Sequence, residues 1–350
     1  MVTEASAPAL LTSVLITTRN RQAILGPTFE ALRRQDAPPD SFEVVAVDDG
    51  STDRTYDVLS SMKLPCSYRV LKHERNRGVA AGLNTVIRES RGEYLVSLSD
   101  DLLLPSNYIS TMVATLEEFP GWWVVGGFKQ LDELSATPFG RYLSGLEEGF
   151  EEARKTRRLG EHLWELSYPT FRNLALRRSE LERIGPLDEQ FPFSCEDQDL
   201  AERAMVLGIR FLYTTRVVCV HNDGSARLDL YCRSQERGAY STALFVAKYP
   251  KKHGNAAIVR VNGPLSWKDD PRLMASKLVK SLLARPALTR LFDRVVSLAE
   301  RLGLPEAVLN RLYRMRIGVS IFRGWREGLR ALRRRTEERS AASLGRHTAP

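Results

Sequence analysis

From Thr12 onward, short runs of apolar and β-branched residues alternate with longer segments whose apolar positions recur every three or four residues. The runs SVLITT, FEVVAV, YRVL and EYLVSL, starting at Ser13, Phe42, Tyr68 and Glu93, have the length and composition of strands. The intervening segments 21–35, 53–62 and 79–89 carry the helical period. Strand and helix in strict alternation predict an α/β fold with a mostly parallel central sheet and right-handed crossovers. The loops that follow the strands then lie along one edge, where open α/β sheets bind ligands.

The pattern loosens after Phe128. Up to Tyr168 the chain is charged, with EEGFEEARKTRR from Glu147, and reads as a helix with long loops over the sheet edge. Order returns at FRNLAL from Phe171, followed by a helix over 196–207 and β-like runs over 211–214 and 217–221. The expected organisation is a flexible N-terminus over 1–11 and a main domain over 12–250, with halves 12–128 and 129–250. A basic amphipathic helical extension over 271–335 and a disordered tail over 336–350 follow.

Composition changes this picture in one respect. The net charge of +8 suggests a nucleic-acid partner, but residues 271–350 hold 18 Lys and Arg against 6 Asp and Glu. The remainder has 33 basic against 37 acidic residues and no recognisable nucleic-acid module, which argues against nucleic-acid binding. In the extension, Leu291, Val295, Leu298, Leu302, Leu312, Ile317, Ile321 and Trp325 interleave with arginines. Such a helix either lies on an anionic membrane or packs on the main domain. The four cysteines show no metal or disulfide spacing and read as buried thiols. With no leader pattern and no apolar run near 18 residues, the expected location is the cytoplasm, with peripheral attachment to the inner face of the cell membrane as the role of the extension.

Three acidic clusters fall where strands end or a helix begins. Asp48 and Asp49, followed by Gly50, can accept from a nucleobase or ribose, or can simply shape a turn capped by Ser51 or Thr52. Asp100 and Asp101 can bind a hard cation that bridges two phosphates, or can form a solvated turn before Pro105. Glu196 and Asp197, the third cluster, open the helix over 196–207, where Ser194 with Asp197 also reads as a capping box. His221, at the end of a β-like run, can add a neutral nitrogen to a metal shell. Of the aromatic residues, Trp122 and Trp123 read as core.

The stretches SVLITTRNR, VVAVDDGSTDRT, NRGVAAGLNTVIRESRGEYLVSLSDD and FRNLALRRSELERIGPLDEQFPFSCEDQDLAERAMVLGIRF, closed by His221, follow one another in order. Over roughly Thr12 to Gly224 the chain resembles family 2 glycosyltransferases of the GT-A type. The resemblance implies a nucleotide-diphosphate-sugar donor in the first half, a hydroxyl-bearing glycan, lipid-linked or small-molecule acceptor in the second, and inversion at the sugar carbon. It makes Asp49, with Asp48, the base-binding acid and sets Thr17, Arg19 and Asp100 beside the donor. Asp101 and His221 become ligands of Mn²⁺ or Mg²⁺, Asp197 the general base, and Glu196 and Trp164 acceptor contacts. Ser99 stands where the family often has a further acid. The rival readings are a nucleotidyltransferase, which lacks its glycine-rich phosphate loop in Thr17–Arg21, and a non-catalytic nucleotide-sugar-binding protein on the same scaffold.

Overall fold

The computed structural model describes residues 12–222 and 226–346, with side chains as far as 338. The chain divides into two compact units: residues 12–134, 144–192 and 196–222 form the first, and 135–143, 193–195 and 226–346 the second.

The first unit opens with four β–α repeats. Strand β1 (Thr12–Thr18) is followed by α1 (Leu25–Arg33), β2 (Phe42–Asp48) by α2 (Thr55–Ser61), β3 (Ser67–Lys72) by α3 (Val79–Glu89), and β4 (Tyr94–Leu98) by the short β5 (Leu102–Leu103) and α4 (Tyr108–Glu118). β1 to β4 form where the sequence predicts strands, and β5 is an addition it does not predict. Because strand side chains alternate between faces, Val14, Ile16, Val44, Ala46, Val96 and Leu98 enter one apolar cluster. Their neighbours Leu15, Val45, Val47 and Leu95 enter another. Burial on both faces explains why these strands read as near-continuous apolar runs.

The rest of the unit comprises β6 (Trp122–Gln130), the part of α5 (Pro138–Arg154) from residue 144, β7 (Lys155–Gly160), β8 (Leu163–Leu166), β9 (Asn173–Arg177), α6 (Arg178–Ile184), α7 (Glu196–Val206) and β10 (Arg210–His221). The sheet order is β3-β2-β1-β4-β9-β6-β10-β8-β7, with β5 paired to β10. β3, β2, β1 and β4 are all parallel, as are β6 and β10, whereas β9 runs antiparallel between β4 and β6. The charged segment read as a helix with long loops contains α5 and, in place of loops, the antiparallel pair β7 and β8, which extends the sheet beyond β10. The two β-like runs near 211–221 are one strand, β10, with a register shift between Thr214 and Val218.

The second unit is helical: the first residues of α5, then α8 (Leu228–Lys248), α9 (Pro250–His253), α10 (Ala257–Asn262), α11 (Pro271–Leu283), α12 (Pro286–Arg301) and α13 (Glu306–Arg346). Its core joins Phe139, Leu143, Cys232, Phe292, Val296, Leu309, Tyr313 and Ile317. α13 lies tight against α8. A Cβ on Gly324 would sit 1.8 Å from the Glu236 carbonyl oxygen, and one on Gly328 2.6 Å from that of Tyr240.

Two boundaries therefore move. α8, assigned by sequence to the main domain ending at 250, belongs to the helical unit, because its packing partner α13 follows far later in the chain. Helix α13 continues to Arg346, past the point at 336 where a disordered tail was expected. Residues 1–11 and 347–350 lie outside the described residues. All four cysteines are free; Cys195, Cys219 and Cys232 are buried and Cys66 is half-buried. Among the described residues no helix is long and apolar enough to cross a membrane.

Candidate active site

Parallel pairing sets the ends of β1 and β2 side by side, with Thr18 opposite Asp48. The loops beyond them are tied together: Asn20 N–H donates to Ser51 Oγ at 2.9 Å, and Thr52 N–H donates to the Asn20 side-chain oxygen at 2.8 Å. Thr17 is half-buried on β1, and a Cβ on Gly82 of α3 would come 2.2 Å from its Oγ1, so α3 closes directly over it. Arg19 is exposed. The turn after β2 is not capped by Ser51 or Thr52. Helix α2 starts at Thr55, and Asp53 accepts from the Thr55 N–H at 3.0 Å.

Asp48 and Asp49 are both buried but have different surroundings. Asp49 Oδ1 meets His73 Nδ1 at 2.7 Å and accepts from Arg77 N–H at 2.8 Å, and its Oδ2 accepts from Gly78 N–H at 2.8 Å. The loop bearing these groups presses on Gly50, whose φ of 66° and a would-be Cβ 2.3 Å from the Arg75 carbonyl carbon require glycine. Asp48 instead accepts from Ser51 through Oδ1, and its Oδ2 is buried without a hydrogen-bond partner.

The second pair stands beyond β4. Asp100 accepts from the Thr18 hydroxyl and lies 3.7 Å from Arg21 Nε. Burial lifts its pKa to about 6, against the pull of Arg21 and with the push of neighbouring Asp101. Asp101 Oδ2 lies 3.3 Å from Arg21 Nη2 and 3.3 Å from His221 Nε2. Burial opposes ionisation of Asp101, but its contact with His221 and the charges of Arg21 and Arg172 outweigh burial and hold its pKa below the ordinary value. These two residues, far apart in sequence, meet because Leu102 pairs with His221 across β5 and β10. Asn222 N–H donates to the Asp101 carbonyl at 2.7 Å, and the other His221 nitrogen rests 3.1 Å from Gln130 Oε1. Asp101 Oδ1 is buried without a partner.

Ser99 N–H donates to the Arg172 carbonyl at 2.7 Å. The Arg172 guanidinium stands 4.4 Å over the Phe128 ring, which in turn lies 5.3 Å from the His221 ring. Arg172 also acts electrostatically on Asp197, so one guanidinium connects the acids beyond β4 with the acid that opens α7. Arg21 and Arg172 are site residues that sequence reasoning missed. Single arginines in loops carry no periodic signal, and only RNR in the first motif hinted at Arg21.

Helix α7 begins at Glu196, one residue later than an N-cap at Ser194 requires. Ser194 and Cys195 have φ of 66° and 71°, so the chain enters the helix through two left-handed residues rather than a capping box. Glu196 is buried, with Oε2 unpartnered, and burial together with the adjacent Asp197 pushes its pKa up to about 8. Asp197 accepts from Gln198 N–H at 2.9 Å; burial raises its pKa, and Arg154 and Arg172 temper the rise. Asp199 is structural, paired with Arg203 at 3.1 Å.

The aromatic candidates separate. Trp123 is fully buried and donates to Glu180 at 2.9 Å, while Trp122 is half-buried under the Arg210 guanidinium at 3.9 Å. Trp164 stands on β8 with Lys155 Nζ 4.8 Å from its ring and Tyr213 edge-on at 6.0 Å, packed against the apolar cluster. None of these contacts ties it to the acids.

A divalent cation needs oxygen or nitrogen donors with open positions for phosphate. No group of three or more His, Cys, Asp or Glu among the described residues could hold a metal. Asp101 and His221 supply two donors, and the unpartnered Asp101 Oδ1 is a buried acceptor with nothing yet to accept from. That set fits a cation whose remaining ligands come from a bound diphosphate.

Solved structures share this architecture. A mannosyltransferase from Pyrobaculum calidifontis, determined with GDP-Man and Mn²⁺, superposes with a TM-score of 0.57 at 19% identity, covering 91% of this chain and 88% of its own. Residues 1–349 of TarS from Staphylococcus aureus, determined with UDP, superpose at 0.50 with 15% identity, covering 91% and 92%. The fold is of the GT-A type, a mixed α/β sandwich with a parallel core and, in this chain, a helical C-terminal region. In sequence, residues 13–185 match the model of glycosyl transferase family 2. A validoxylamine A glucosyltransferase from Streptomyces hygroscopicus subsp. limoneus is 31% identical over 224 residues, 57% of this chain and 49% of the relative. Glycosyltransferase GlyG of Streptococcus pneumoniae is 29% identical over 113 residues, 32% of this chain and 37% of the relative. The chain spans about half the length of the Streptomyces relatives it matches.

Proposed function

We propose that this protein is a metal-dependent, inverting glycosyltransferase that moves a sugar from a nucleotide-diphosphate donor to a hydroxyl acceptor. The observation that carries the reading is Asp101: a buried carboxylate with one oxygen beside His221 and the other unpartnered, at the loop edge of a parallel sheet. Asp48, with its own unpartnered oxygen, takes the base or ribose at the same edge, and Asp49 fixes the loop beside it. The Pyrobaculum enzyme holds GDP-Man with Mn²⁺ on this fold, which supports a nucleotide-sugar and a divalent metal here as well.

Asp101 and His221 would hold Mn²⁺ or Mg²⁺, which supplies charge stabilisation for the departing diphosphate. Arg21 and Arg172 add fixed positive charge at the same place. Asp197 accepts the proton of the acceptor hydroxyl, which attacks the sugar carbon from the face opposite the diphosphate. Its raised pKa makes it a stronger base than a free aspartate. Glu196, protonated at neutral pH, sits beside it as a donor able to fix an acceptor oxygen. The acceptor is a glycan, lipid-linked or small-molecule hydroxyl in the biosynthesis of an envelope polysaccharide, glycolipid or other glycoconjugate, met at the cytoplasmic face of a membrane.

Release of nucleoside diphosphate from a panel of nucleotide-sugars, with and without Mn²⁺, tests the reading. One donor is expected to react in a metal-dependent way, and Asp197→Asn to lower turnover by about 10²–10⁴-fold with donor affinity kept. Pyrophosphate release from a nucleoside triphosphate instead would make the chain a nucleotidyltransferase. Donor binding without turnover on any acceptor would leave it a binding protein.

A further inference from the structure

The apolar residues of the C-terminal helices do not form one face. Ile317 and Trp325 are buried, and Leu312 and Ile321 pack against the core of the helical unit. Leu291, Val295, Leu298 and Leu302, in contrast, are 55%, 46%, 56% and 67% exposed. At roughly 100° per residue these four lie within about 60° of one another on α12. The inward face of the same helix is a separate set, Thr289, Phe292, Val296 and Ala299. α12 is therefore apolar on two adjoining faces, and only one of them is used by the unit's own core.

Charge is sorted around the outward stripe. Arg290, Arg294 and Arg301 are exposed and fall along its free flank, about a quarter turn away. The two acids of the helix point elsewhere: Asp293 accepts from Arg316, and Glu300 accepts from the Tyr313 hydroxyl at 2.6 Å. A solvated helix has no reason to display four large aliphatic side chains beside three arginines while keeping both carboxylates paired away from that stripe. A surface that is apolar in depth and anionic at its rim matches that display. The same unit also exposes Leu278 and Leu282 on α11, which packs against α12, and carries Trp267 87% exposed in the loop before α11.

We infer that the outward stripe of α12, with its flanking arginines, is a docking face for an anionic lipid bilayer, the leucines entering the interface and the guanidiniums meeting phosphate headgroups. The inference deepens the membrane-side part of the proposed function and rests on it only for where the acceptor is met. Deleting the helices cannot test it, since Phe292, Val296, Tyr313 and Ile317 belong to a core shared with α5 and α8.

The test uses the full chain and sedimentation with vesicles of phosphatidylglycerol and phosphatidylcholine, or of phosphatidylcholine alone. One variant combines Leu291→Gln, Val295→Thr, Leu298→Gln and Leu302→Gln; a second combines Arg290→Gln, Arg294→Gln and Arg301→Gln. All seven positions are exposed, so both variants should melt as the parent does. The parent is expected to pellet with the anionic vesicles only. The aliphatic variant should lose binding by more than about tenfold, and the arginine variant by roughly fivefold per cation removed. Equal pelleting of parent and variants overturns the inference, as does a parent that pellets with neither vesicle. A parent dimer that the aliphatic variant dissociates, with vesicle binding unchanged, assigns the stripe to a second copy and overturns it too. Nucleoside diphosphate release, measured on the same preparations with a soluble acceptor, reports separately on the glycosyltransferase reading.

Discussion

The acids at the end of β2 and those beyond β4 are both Asp–Asp pairs, and within each pair the two carboxylates are spent differently. Asp49 is saturated by His73, Arg77 and Gly78, and Asp100 is held by Thr18 and Arg21, so these two build the loops. Asp48 and Asp101 each keep a buried oxygen with no partner. Leaving a buried carboxylate oxygen unsatisfied costs stability, on the order of 1–3 kcal/mol. A fold tolerates that cost where a ligand later supplies the missing partner. The same sequence dipeptide thus yields one scaffold acid and one open acid at each strand end, in opposite order.

The sharpest way to break this contrast is at Asp101. Asp101→Asn is expected to cut metal-dependent transfer by about 10²–10³-fold, and Asp100→Asn by about tenfold or less, measured as kcat with Mn²⁺ titrated in each. Equal losses would erase the distinction between the two. Next in size is the other pair, read by urea unfolding and nucleotide binding together. Asp49→Ala strands the His73 and Arg77 donors, Gly78 N–H keeping the Asn76 side-chain oxygen, and should lower stability by about 3 kcal/mol. Asp48→Asn should leave stability within about 1 kcal/mol of the parent while weakening nucleotide binding by about tenfold. If Asp49→Ala lost affinity and not stability, Asp49 would be the base-binding acid.

A third test concerns Glu196, the remaining buried acid with an open oxygen. Its folded pKa of about 8 lies above the ordinary 4.5, so the folded chain holds a proton that the unfolded chain releases. Stability from this group is complete below about 4.5 and is lost as pH rises through about 8. Melting temperature followed across that window should fall in the parent and stay flatter in Glu196→Gln. Parallel curves would place the proton elsewhere.

β1, β2 and β4 were legible because burial on both faces writes an unbroken apolar run; β3, half-buried at the sheet edge, was legible from the short run YRVL alone. Helix starts were less legible. The onset of α2 is set by Asp53, and that of α7 by two left-handed residues, neither of which has a distinctive local pattern. The acidic motifs were readable as candidates, and Asp101 and His221, read together across 120 positions, do stand 3.3 Å apart. What could not be read was which acid of each pair is free, since that depends on the partners the fold delivers, such as His73 and Thr18. Arg21 and Arg172 escaped for the same reason. The role of α8 was hidden because the helix that covers it lies some eighty positions on.

The contact of α13 with α8 has a further consequence for lineage. Where two backbones touch at Gly324 and Gly328, no larger side chain offers a substitute, whereas the arginines facing solvent along α13 can drift freely. Distant descendants of this helical unit should be traceable less by the charge of their last helix than by a pair of glycines one helical turn apart, set late in a long basic segment.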